Sequence, residues 1–222
     1  MVEVEAKLIK QKNIAAEVVR FTFEVPASFS SSPGQFVMLK FEKKGEIKQR
    51  AYSILTHVPG KMELAVKLIP GGFGSEILRK SKMGDRFTLR GPFDHFLLAN
   101  HNPKKEIWML CTGVGIVPFY NMLNDFVPKY PQQQFKLIYS EKTKADLILH
   151  LNFLALAKKN PNFKYVPTLT REKWAGATGR VGEHLGNNFK NKIFYLCGVK
   201  EFVEATKTFL MDKGVASKDI KF

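Results

Sequence analysis

The chain has 222 residues and a formal net charge of +15, and this length accommodates one large domain or two modest ones. Hydrophobic residues make up 45% and charged residues 25%, as in globular proteins, and no apolar run approaches the roughly 20 residues that span a bilayer, which excludes disorder, a collagen-like repeat and a membrane-spanning helix. The two cysteines, Cys111 and Cys197, are far apart in the sequence, which excludes a disulfide framework, a cysteine-rich zinc site and a four-cysteine iron–sulfur cluster. No metal site is expected, so any redox chemistry requires an organic cofactor.

Short β-strands are predicted throughout the first half of the chain. Alternating, β-branched or aromatic segments bounded by turn residues indicate strands at residues 2–8, 18–23, 35–41, 50–54, 62–67 and 86–89. Because little room is left for helices, this spacing predicts an antiparallel β-barrel. One short helix is expected from Ser75 to about Lys80, directly after the glycine-rich residues 71–74. The N-terminus shows no apolar block followed by a cleavage site, so we expect a cytoplasmic protein.

A polar stretch at residues 100–105 interrupts this pattern and predicts a linker between one domain at residues 1–99 and another at 106–222. In the second domain, continuous apolar segments indicate buried strands at residues 107–110, 135–139, 163–166 and 193–196, and helices are predicted at 117–126, 152–158 and 201–211. Buried strands that alternate with helices are typical of a parallel α/β sheet. Such a sheet binds ligands at the carboxyl ends of its strands.

A cation, an aromatic ring and a hydroxyl follow one another in the segment Arg50-Ala51-Tyr52-Ser53. Because successive side chains of a strand alternate between its faces, Arg50 and Tyr52 lie on one side and Ser53 on the other. On its own, this pattern favours a surface pair on an edge strand. The glycines at residues 71–74, however, open a helix, whose N-terminus carries free N–H groups and a partial positive charge. An arginine, an aromatic face and a phosphate cradle together fit a flavin nucleotide.

A second glycine loop, Thr112-Gly113-Val114-Gly115, lies between a predicted buried strand and a predicted helix. A dinucleotide phosphate binds at this point of a parallel sheet. The loop lacks the third glycine of the dinucleotide-binding fingerprint, and an ordinary tight turn is the alternative interpretation.

Six short motifs follow one another along the chain. They are residues 50–53 (Arg-Ala-Tyr-Ser), 72–75 (Gly-Phe-Gly-Ser), 91–93 (Gly-Pro-Phe), 111–118 (Cys-Thr-Gly-Val-Gly-Ile-Val-Pro), 170–172 (Thr-Arg-Glu) and 197–199 (Cys-Gly-Val). In this order and over essentially the whole chain, the sequence resembles the ferredoxin–NADP reductase superfamily, in particular its bacterial ferredoxin and flavodoxin reductases. The resemblance implies a flavin-binding barrel followed by a pyridine-nucleotide-binding domain.

The resemblance also implies roles for individual residues of the barrel. Arg50 would pair with the phosphate of the flavin nucleotide, Tyr52 would stack on the isoalloxazine ring, and Ser53 would hydrogen-bond near the ring nitrogen that accepts the hydride. The other residues implied at the flavin are Ile54, Val66, Lys67, Leu68, Gly72, Phe73, Gly74 and Ser75. FAD is the expected cofactor, and FMN is the alternative.

In the second domain, the resemblance places Cys197 beside the nicotinamide, so that Tyr52, Ser53 and Cys197 form the implied catalytic set. The other residues implied at the pyridine nucleotide are Thr112, Gly113, Gly115, Pro118, Ser140, Thr170, Arg171, Arg180 and Gly198. Many members of the family end in an acidic residue and a terminal aromatic, whereas this chain ends at Phe222. Phe222 either covers the flavin or leaves its face open.

The choice between NADPH and NADH depends on the charges beside the adenosine ribose. Arg171 and Arg180 resemble the basic groups that hold the 2′-phosphate of NADP, which favours NADPH. Glu141 follows a predicted strand and could instead bond a free ribose hydroxyl, as in NAD-selective proteins.

These features predict a flavoprotein oxidoreductase that transfers a hydride between NAD(P)H and FAD and electrons to a separate carrier. Both halves of the chain are basic, with 16 Lys and Arg against 10 Asp and Glu in residues 1–99 and 19 against 10 in residues 100–222. An acidic carrier such as a ferredoxin or flavodoxin is therefore the expected partner, unless the charge serves only solubility. No nucleic-acid partner is expected, because the lysines are scattered, and the protein is expected to be a monomer. The alternatives are an NADH-dependent reductase of an oxygenase, a cytochrome or free flavins, and a non-catalytic flavin- or nucleotide-binding subunit.

Overall fold

The computed structural model describes residues 2–96 and 104–222, and the chain divides into two compact units, Met1–Leu97 and Leu98–Phe222. Each unit has its own hydrophobic core. Most of the linker expected at residues 100–105 lies outside the described residues. Among the helices of the described ranges, none combines the length and the apolar character needed to cross a bilayer.

The first unit is a closed barrel of six antiparallel strands, which confirms the predicted barrel. Its elements are β1 (Val2–Ala15), β2 (Val18–Glu24), β3 (Phe36–Lys43), β4 (Glu46–Val58), β5 (Lys61–Lys67), α1 (Phe73–Lys80) and β6 (Arg86–Phe93). The strand order is β1-β2-β5-β4-β3-β6, and β6 also pairs with β1 to close the barrel. Alternating residues such as Phe21 and Phe23 of β2 point inward and are almost completely buried.

Helix α1 begins at Phe73, two residues before the predicted start at Ser75. The glycines before Ser75 indicated a loop, but Gly74 lies inside the helix and is buried. A Cβ atom at Gly74 would lie 2.8 Å from the ring of Phe41, so only a glycine lets the helix pack this closely on the barrel. The turn before the helix is made by Gly71, whose φ of +73° favours glycine.

The second unit is a six-stranded sheet with helices, as predicted. Its elements are β7 (Glu106–Thr112), α2 (Val117–Lys129), β8 (Phe135–Glu141), α3 (His150–Lys159), β9 (Phe163–Leu169), β10 (Ala177–Thr178), β11 (Lys192–Cys197), α4 (Lys200–Asp212) and β12 (Ile220–Lys221). All neighbouring strands run parallel. Strands β10 and β12 were not predicted, because two residues are too few to show a hydrophobic period.

The strand order is β10-β9-β8-β7-β11-β12, so the side of the sheet on which successive strands are added changes at β7. From β7 the chain adds strands on one side, and it then returns to place β11 on the other side of β7. At such a switch point the two loops leaving the carboxyl ends of the strands diverge and open a crevice for a ligand. The crevice between β7 and β11 is therefore where the topology favours a nucleotide.

Candidate functional site

In the first unit, the candidate anion-binding surface is the N-terminus of α1. The backbone N–H of Glu76 donates to the carbonyl of Gly72 (2.8 Å), and the N–H of Ile69 donates to Oγ of Ser75 (3.0 Å), which fixes the turn before the helix. The N–H groups of residues 73–75 precede the first donor of the helix ladder, and they carry the positive end of its dipole. A phosphate group fits this surface.

Arg50 lies on the same face of β4 as Lys48 and Tyr52, since all three alternate along the strand. The ammonium of Lys48 lies 4.9 Å from the ring centroid of Phe73, the first residue of α1. The face that carries the exposed Arg50 therefore adjoins the start of the helix. Lys48 was missed by the sequence interpretation, although its spacing of two from Arg50 was the available signal.

Tyr52 is half-buried and packs edge-on against Phe41, with ring centroids 6.3 Å apart and planes at 89°. Burial raises the pKa of Tyr52 to about 12, against the opposing effect of the Arg50 charge. The side chain is thus a neutral phenol at physiological pH, and the exposed part of its ring offers a flat apolar platform beside Arg50.

For several of the remaining residues implied at the flavin, the main chain is the part available to a ligand, as the resemblance implies for residues 66–68. The side chains of Ile54, Val66 and Leu68 are buried in the barrel, so only their main-chain atoms could reach a ligand. The N–H of Leu68 already donates to the carbonyl of Glu17 (2.6 Å), and its carbonyl accepts from Nη2 of Arg79 (3.2 Å).

Two further residues of this set, Ser53 and Lys67, have accessible side chains. Ser53 is half-buried and pairs with Phe36 of β3, and Lys67 is exposed at the end of β5.

In the second unit, two glycines bring the loops after β7 and β11 into direct contact. A Cβ atom on Gly115 would lie 2.3 Å from the carbonyl oxygen of Cys197, and one on Gly198 would lie 2.4 Å from Oγ1 of Thr112. The contacts at Gly115 are with main-chain atoms, so this position requires glycine, whereas the shortest contact at Gly198 is with the side chain of Thr112. The two loops at the switch point are therefore held together at their base, next to the expected ligand crevice.

Thr112 ends β7 at this point, and its hydroxyl is buried without a hydrogen-bond partner in the described part of the chain. A buried hydroxyl normally has a partner, because leaving it unsatisfied costs roughly 1–3 kcal/mol. A polar group of a bound ligand would satisfy it. Gly113, with φ +58°, turns the chain directly after Thr112, and Pro118 is buried in the first turn of α2.

The two cysteines are adjacent in the sheet although they are far apart in the sequence. Cys111 of β7 and Cys197 of β11 are register partners, and both are free thiols. Burial raises the pKa of Cys197 to about 12, although a hydrogen bond from the backbone of Gly198 lowers it, and burial also raises the pKa of Cys111 well above its ordinary value. Both are neutral thiols near pH 7, so Cys197 offers a small polarisable contact and not a thiolate nucleophile.

The loops after β8 and β9 are joined by backbone hydrogen bonds. The N–H of Thr170 donates to the carbonyl of Glu141 (2.9 Å), and the N–H of Arg171 donates to the carbonyl of Lys142 (3.0 Å). Ser140, the residue before Glu141, is buried. The predicted residues Ser140, Thr170 and Arg171 thus lie together at the carboxyl edge of the sheet.

Charges of both signs occur at this edge. Leu169 and Thr178 are register partners in β9 and β10, so Arg171 and Arg180, each two residues further on, leave the sheet at the same edge, and both are exposed. The carboxylate of Glu141 accepts a hydrogen bond from the hydroxyl of Tyr139 (2.8 Å).

The ring of Phe222 is half-exposed and lies 4.1 Å from the ammonium of Lys207 on α4. This cation–π contact ties the last residue of the sequence to the second unit. The suggested role of Phe222 as a cover for the flavin stays a prediction.

Two family models match the chain, one in each unit. The model of the oxidoreductase FAD-binding domain matches residues 5–97, and the model of the oxidoreductase NAD-binding domain matches residues 109–208. The barrel is thus an FAD-binding domain, and the parallel sheet is an NAD-binding domain.

Individual relatives are similar over most of this chain. It is 26% identical over 190 residues to the anthranilate 1,2-dioxygenase electron transfer component of Acinetobacter baylyi and 29% identical over 205 residues to the glycine betaine monooxygenase reductase subunit of Pseudomonas aeruginosa. These matches cover 83% and 87% of this chain but only 55% and 56% of the relatives. A crystal structure of a ferredoxin NADP⁺ reductase from Neisseria gonorrhoeae with bound FAD and NADP superposes with a TM-score of 0.85 at 28% identity, covering 96% of this chain and 92% of that one.

Proposed function

Because this chain belongs to the ferredoxin reductase-like superfamily of FAD- and NAD-binding oxidoreductases, we propose that it is an FAD-dependent NAD(P)H reductase. In this proposal a hydride passes between NAD(P)H and FAD, and electrons pass between the flavin and a separate carrier, ferredoxin or flavodoxin. Since the chain spans only 55% of the length of the dioxygenase component, the activity of the whole protein is part of the proposal. The domain limits 1–99 and 106–222, the monomeric state and the cytoplasmic location remain predictions from the sequence.

The observation that carries the proposal is the meeting of Arg50, Tyr52 and the N-terminus of α1 on one surface of the barrel. The exposed guanidinium and the free N–H groups of the helix suit a phosphate, and the half-buried ring of Tyr52 suits a planar ring system. Arg50 would hold the phosphate of FAD, and Tyr52 and Ser53 would orient its ring. Hydride transfer needs no acid–base group of the protein, because the protein only has to position the flavin and nicotinamide rings and exclude water.

In the second unit, we propose that the crevice between β7 and β11 holds the nicotinamide end of the pyridine nucleotide. The unsatisfied hydroxyl of Thr112 would donate to the nucleotide, and Cys197 would contact the nicotinamide as a neutral thiol. The close packing of Gly115 on the Cys197 carbonyl keeps both loops in place, so that the crevice is formed before the nucleotide binds.

Three measurements test this assignment. The purified protein should be yellow and should release FAD, and not FMN, on denaturation. Steady-state reduction of a dye, a ferredoxin and a flavodoxin with NADPH and with NADH would then identify the nucleotide and the class of acceptor. A protein that takes up neither flavin would contradict the proposal, and one that binds FAD but oxidises neither nucleotide would favour the non-catalytic alternative.

An oxygenase system is the alternative acceptor of the electrons. The two relatives described above are the electron transfer component of a dioxygenase and the reductase subunit of a monooxygenase, which favours an oxygenase system as the alternative destination of the electrons. A rate with a dye far above the rates with ferredoxin and flavodoxin would support this alternative.

We further propose that the nucleotide is NADPH, held through its 2′-phosphate by Arg171 and Arg180. Replacing Arg171 with alanine removes a hydrogen bond between charged groups, which contributes about 1.5–3 kcal/mol, or roughly 10- to 150-fold in affinity. Arg171→Ala should therefore lower kcat/KM for NADPH by at least about tenfold and leave NADH almost unchanged. An equal loss of kcat/KM with both nucleotides would show that Arg171 does not bind the 2′-phosphate. If the parent enzyme prefers NADH, this preference would instead support a contact between Glu141 and the ribose.

A further inference from the structure

An open groove of about 530 Å³ lies in the second unit, away from the residues discussed so far. It is formed where the loop before β11 approaches the turn after α4. The residues that line it are Asn187, Asn188, Phe189, Lys190, Lys213 and Gly214.

The groove lies at the opposite edge of the sheet from the nucleotide crevice. Strand β11 begins at Lys192, directly after the loop, and ends five residues later at Cys197. At about 3.3 Å per residue, the two ends of this strand are about 17 Å apart. Helix α4 then returns the chain from the carboxyl edge to Lys213 at the amino edge. The groove therefore cannot be an extension of the nucleotide site.

The charge that lines the groove is entirely positive. Lys190 and Lys213 are both exposed, and no carboxylate is found among the residues that form its walls. Asp212, the sequence neighbour of Lys213, is exposed but does not line the groove. Two lysines across an open groove attract acidic groups, and the amides of Asn187 and Asn188 add hydrogen-bonding capacity.

One wall of the groove is aromatic. The ring centroid of Phe189 lies 6.3 Å from that of Phe194 in the core and 6.0 Å from that of Phe209 on α4. Phe209 remains 36% exposed, with the ammonium of Lys213 5.5 Å from its ring, and the nearby Met211 is 48% exposed. Apolar surface rimmed by cations is suited to a partner that presents both apolar and acidic side chains.

The loop that forms the groove has a fixed shape. It begins at Gly186 (φ +68°) and ends at Asn191 (φ +55°), and both left-handed residues turn the chain sharply. Within it, the N–H of Lys190 donates to Oδ1 of Asn188 (3.0 Å), and the carbonyl of Asn191 accepts from the N–H of Glu106 (2.8 Å). A preformed surface costs less entropy when a partner binds.

We propose that this groove is a docking site for an acidic protein segment that carries an apolar side chain. The apolar side chain lies against Phe189 and Phe209, and flanking carboxylates pair with Lys190 and Lys213. A compact phosphate ligand fits less well, because the groove is open and presents lysines without an arginine fork. The site lies outside the reaction proposed above, so a partner can dock there while the nucleotide crevice stays free.

The test uses the full chain loaded with FAD and a fluorescein-labelled peptide of eight glutamates with one leucine at its centre. Its binding is measured by fluorescence anisotropy at low salt for the parent, for Lys190→Glu with Lys213→Glu, and for a control pair in the same unit. The control is Lys158→Glu with Lys159→Glu at the end of α3, which makes the same change in net charge at exposed lysines. Dye reduction and thermal midpoint confirm that each variant is folded.

We expect the groove pair to raise the dissociation constant of the peptide at least about tenfold and the control pair less than about threefold, because only the groove lysines meet the carboxylates directly. Replacing the leucine of the peptide with glutamine should weaken binding to the parent but not to the groove variant. Equal losses for both lysine pairs would overturn the proposal, since the peptide would then be responding to net charge alone. Competition by inorganic phosphate or ATP at micromolar concentration would overturn it in favour of a small anionic ligand.

Discussion

Arg50 provides the sharpest test at the level of one side chain. Its guanidinium is exposed on β4, where Nη1 donates to the carbonyl of Gln49 (2.9 Å), and the guanidinium can turn toward a phosphate. Arg50→Ala should weaken FAD binding by about 1.5–3 kcal/mol, or roughly 10- to 150-fold, the contribution of a hydrogen bond to a charged group. The dissociation constant is measured by the quenching of flavin fluorescence.

Arg50→Lys is the matched control for this change. Lysine keeps the charge but lacks the planar fork that bonds two phosphate oxygens, so its affinity for FAD should lie between those of the parent and the alanine variant. If alanine and lysine both bind FAD as the parent does, Arg50 does not contact the cofactor.

Glu63 shows how a single carboxyl joins three strands of the barrel. Its oxygens accept hydrogen bonds from Arg20 and Thr22 of β2 and from Thr56 of β4. Burial by itself raises the pKa of Glu63, but these hydrogen bonds and the Arg20 charge outweigh burial and hold the pKa below its ordinary value of 4.5. Ionised Glu63 therefore stabilises the folded chain above pH 4.5, and this contribution is lost as the pH falls through the lowered pKa.

We accordingly predict that Glu63→Gln lowers the free energy of unfolding at pH 7 by about 1 kcal/mol, a partly exposed ion pair being worth less than a buried one. The difference from the parent should shrink below pH 4.5. Urea unfolding at pH 7, 5, 4 and 3 measures it, with the exposed Glu42→Gln of β3 as control. A difference that does not change with pH would show that ionisation of Glu63 is not involved.

At the level of secondary-structure elements, the loop after β7 tests whether close backbone packing maintains the nucleotide crevice. In Gly115→Ala the new methyl group would lie 2.3 Å from the main-chain oxygen of Cys197, so the loops after β7 and β11 must separate. Overpacking of this kind costs about 1–3 kcal/mol. We expect a lower thermal midpoint and a KM for NADPH raised by about tenfold or more.

Gly182→Ala is the matched control, because nothing lies within 4 Å of its added methyl group and its φ is not positive. Its stability should stay within about 0.5 kcal/mol of the parent. A Gly115→Ala variant that behaves in the same way would show that the two loops are free to move apart.

The sequence predicted the architecture well because long strands and helices repeat their hydrophobic pattern several times. Short elements and close contacts leave no repeated hydrophobic pattern in the sequence, so the sequence did not predict them. Strands β10 and β12 have two residues each, and the helical position of Gly74 depends on a contact with Phe41, which is distant in the sequence.

Within the candidate site, the order of the motifs identified residues that the fold brings together, such as Arg50, Tyr52 and the start of α1. Sequence alone could not show that the amide and the carbonyl of Leu68 are both engaged by other residues, or that Cys111 lies beside Cys197. These facts depend on strand register, which a single sequence does not reveal.

At the level of the whole molecule, the net charge of +15 leads to a prediction about the proposed transfer of electrons to an acidic carrier. Opposite charges raise encounter rates about 10- to 1,000-fold at low salt, and the Debye length of about 10 Å at 0.1 M salt removes most of this advantage. The second-order rate with an acidic ferredoxin or flavodoxin should therefore fall steeply with ionic strength. The rate with a small neutral acceptor, measured in parallel, should stay nearly constant. If neither rate changes with ionic strength, the surface charge does not steer an acidic carrier and serves solubility only.

The pairing of β1 with β6 also determines the order in which the barrel forms during synthesis. Val2 pairs with Gly91 and Lys7 with Arg86, so β1, which also pairs with β2, closes the barrel by pairing with its last strand in sequence order. Contacts this distant in sequence form slowly, because a long loop must first be ordered. Arg50, Tyr52 and the start of α1 thus leave the ribosome before the barrel that aligns them can close. We therefore expect that FAD binds only after β6 has emerged.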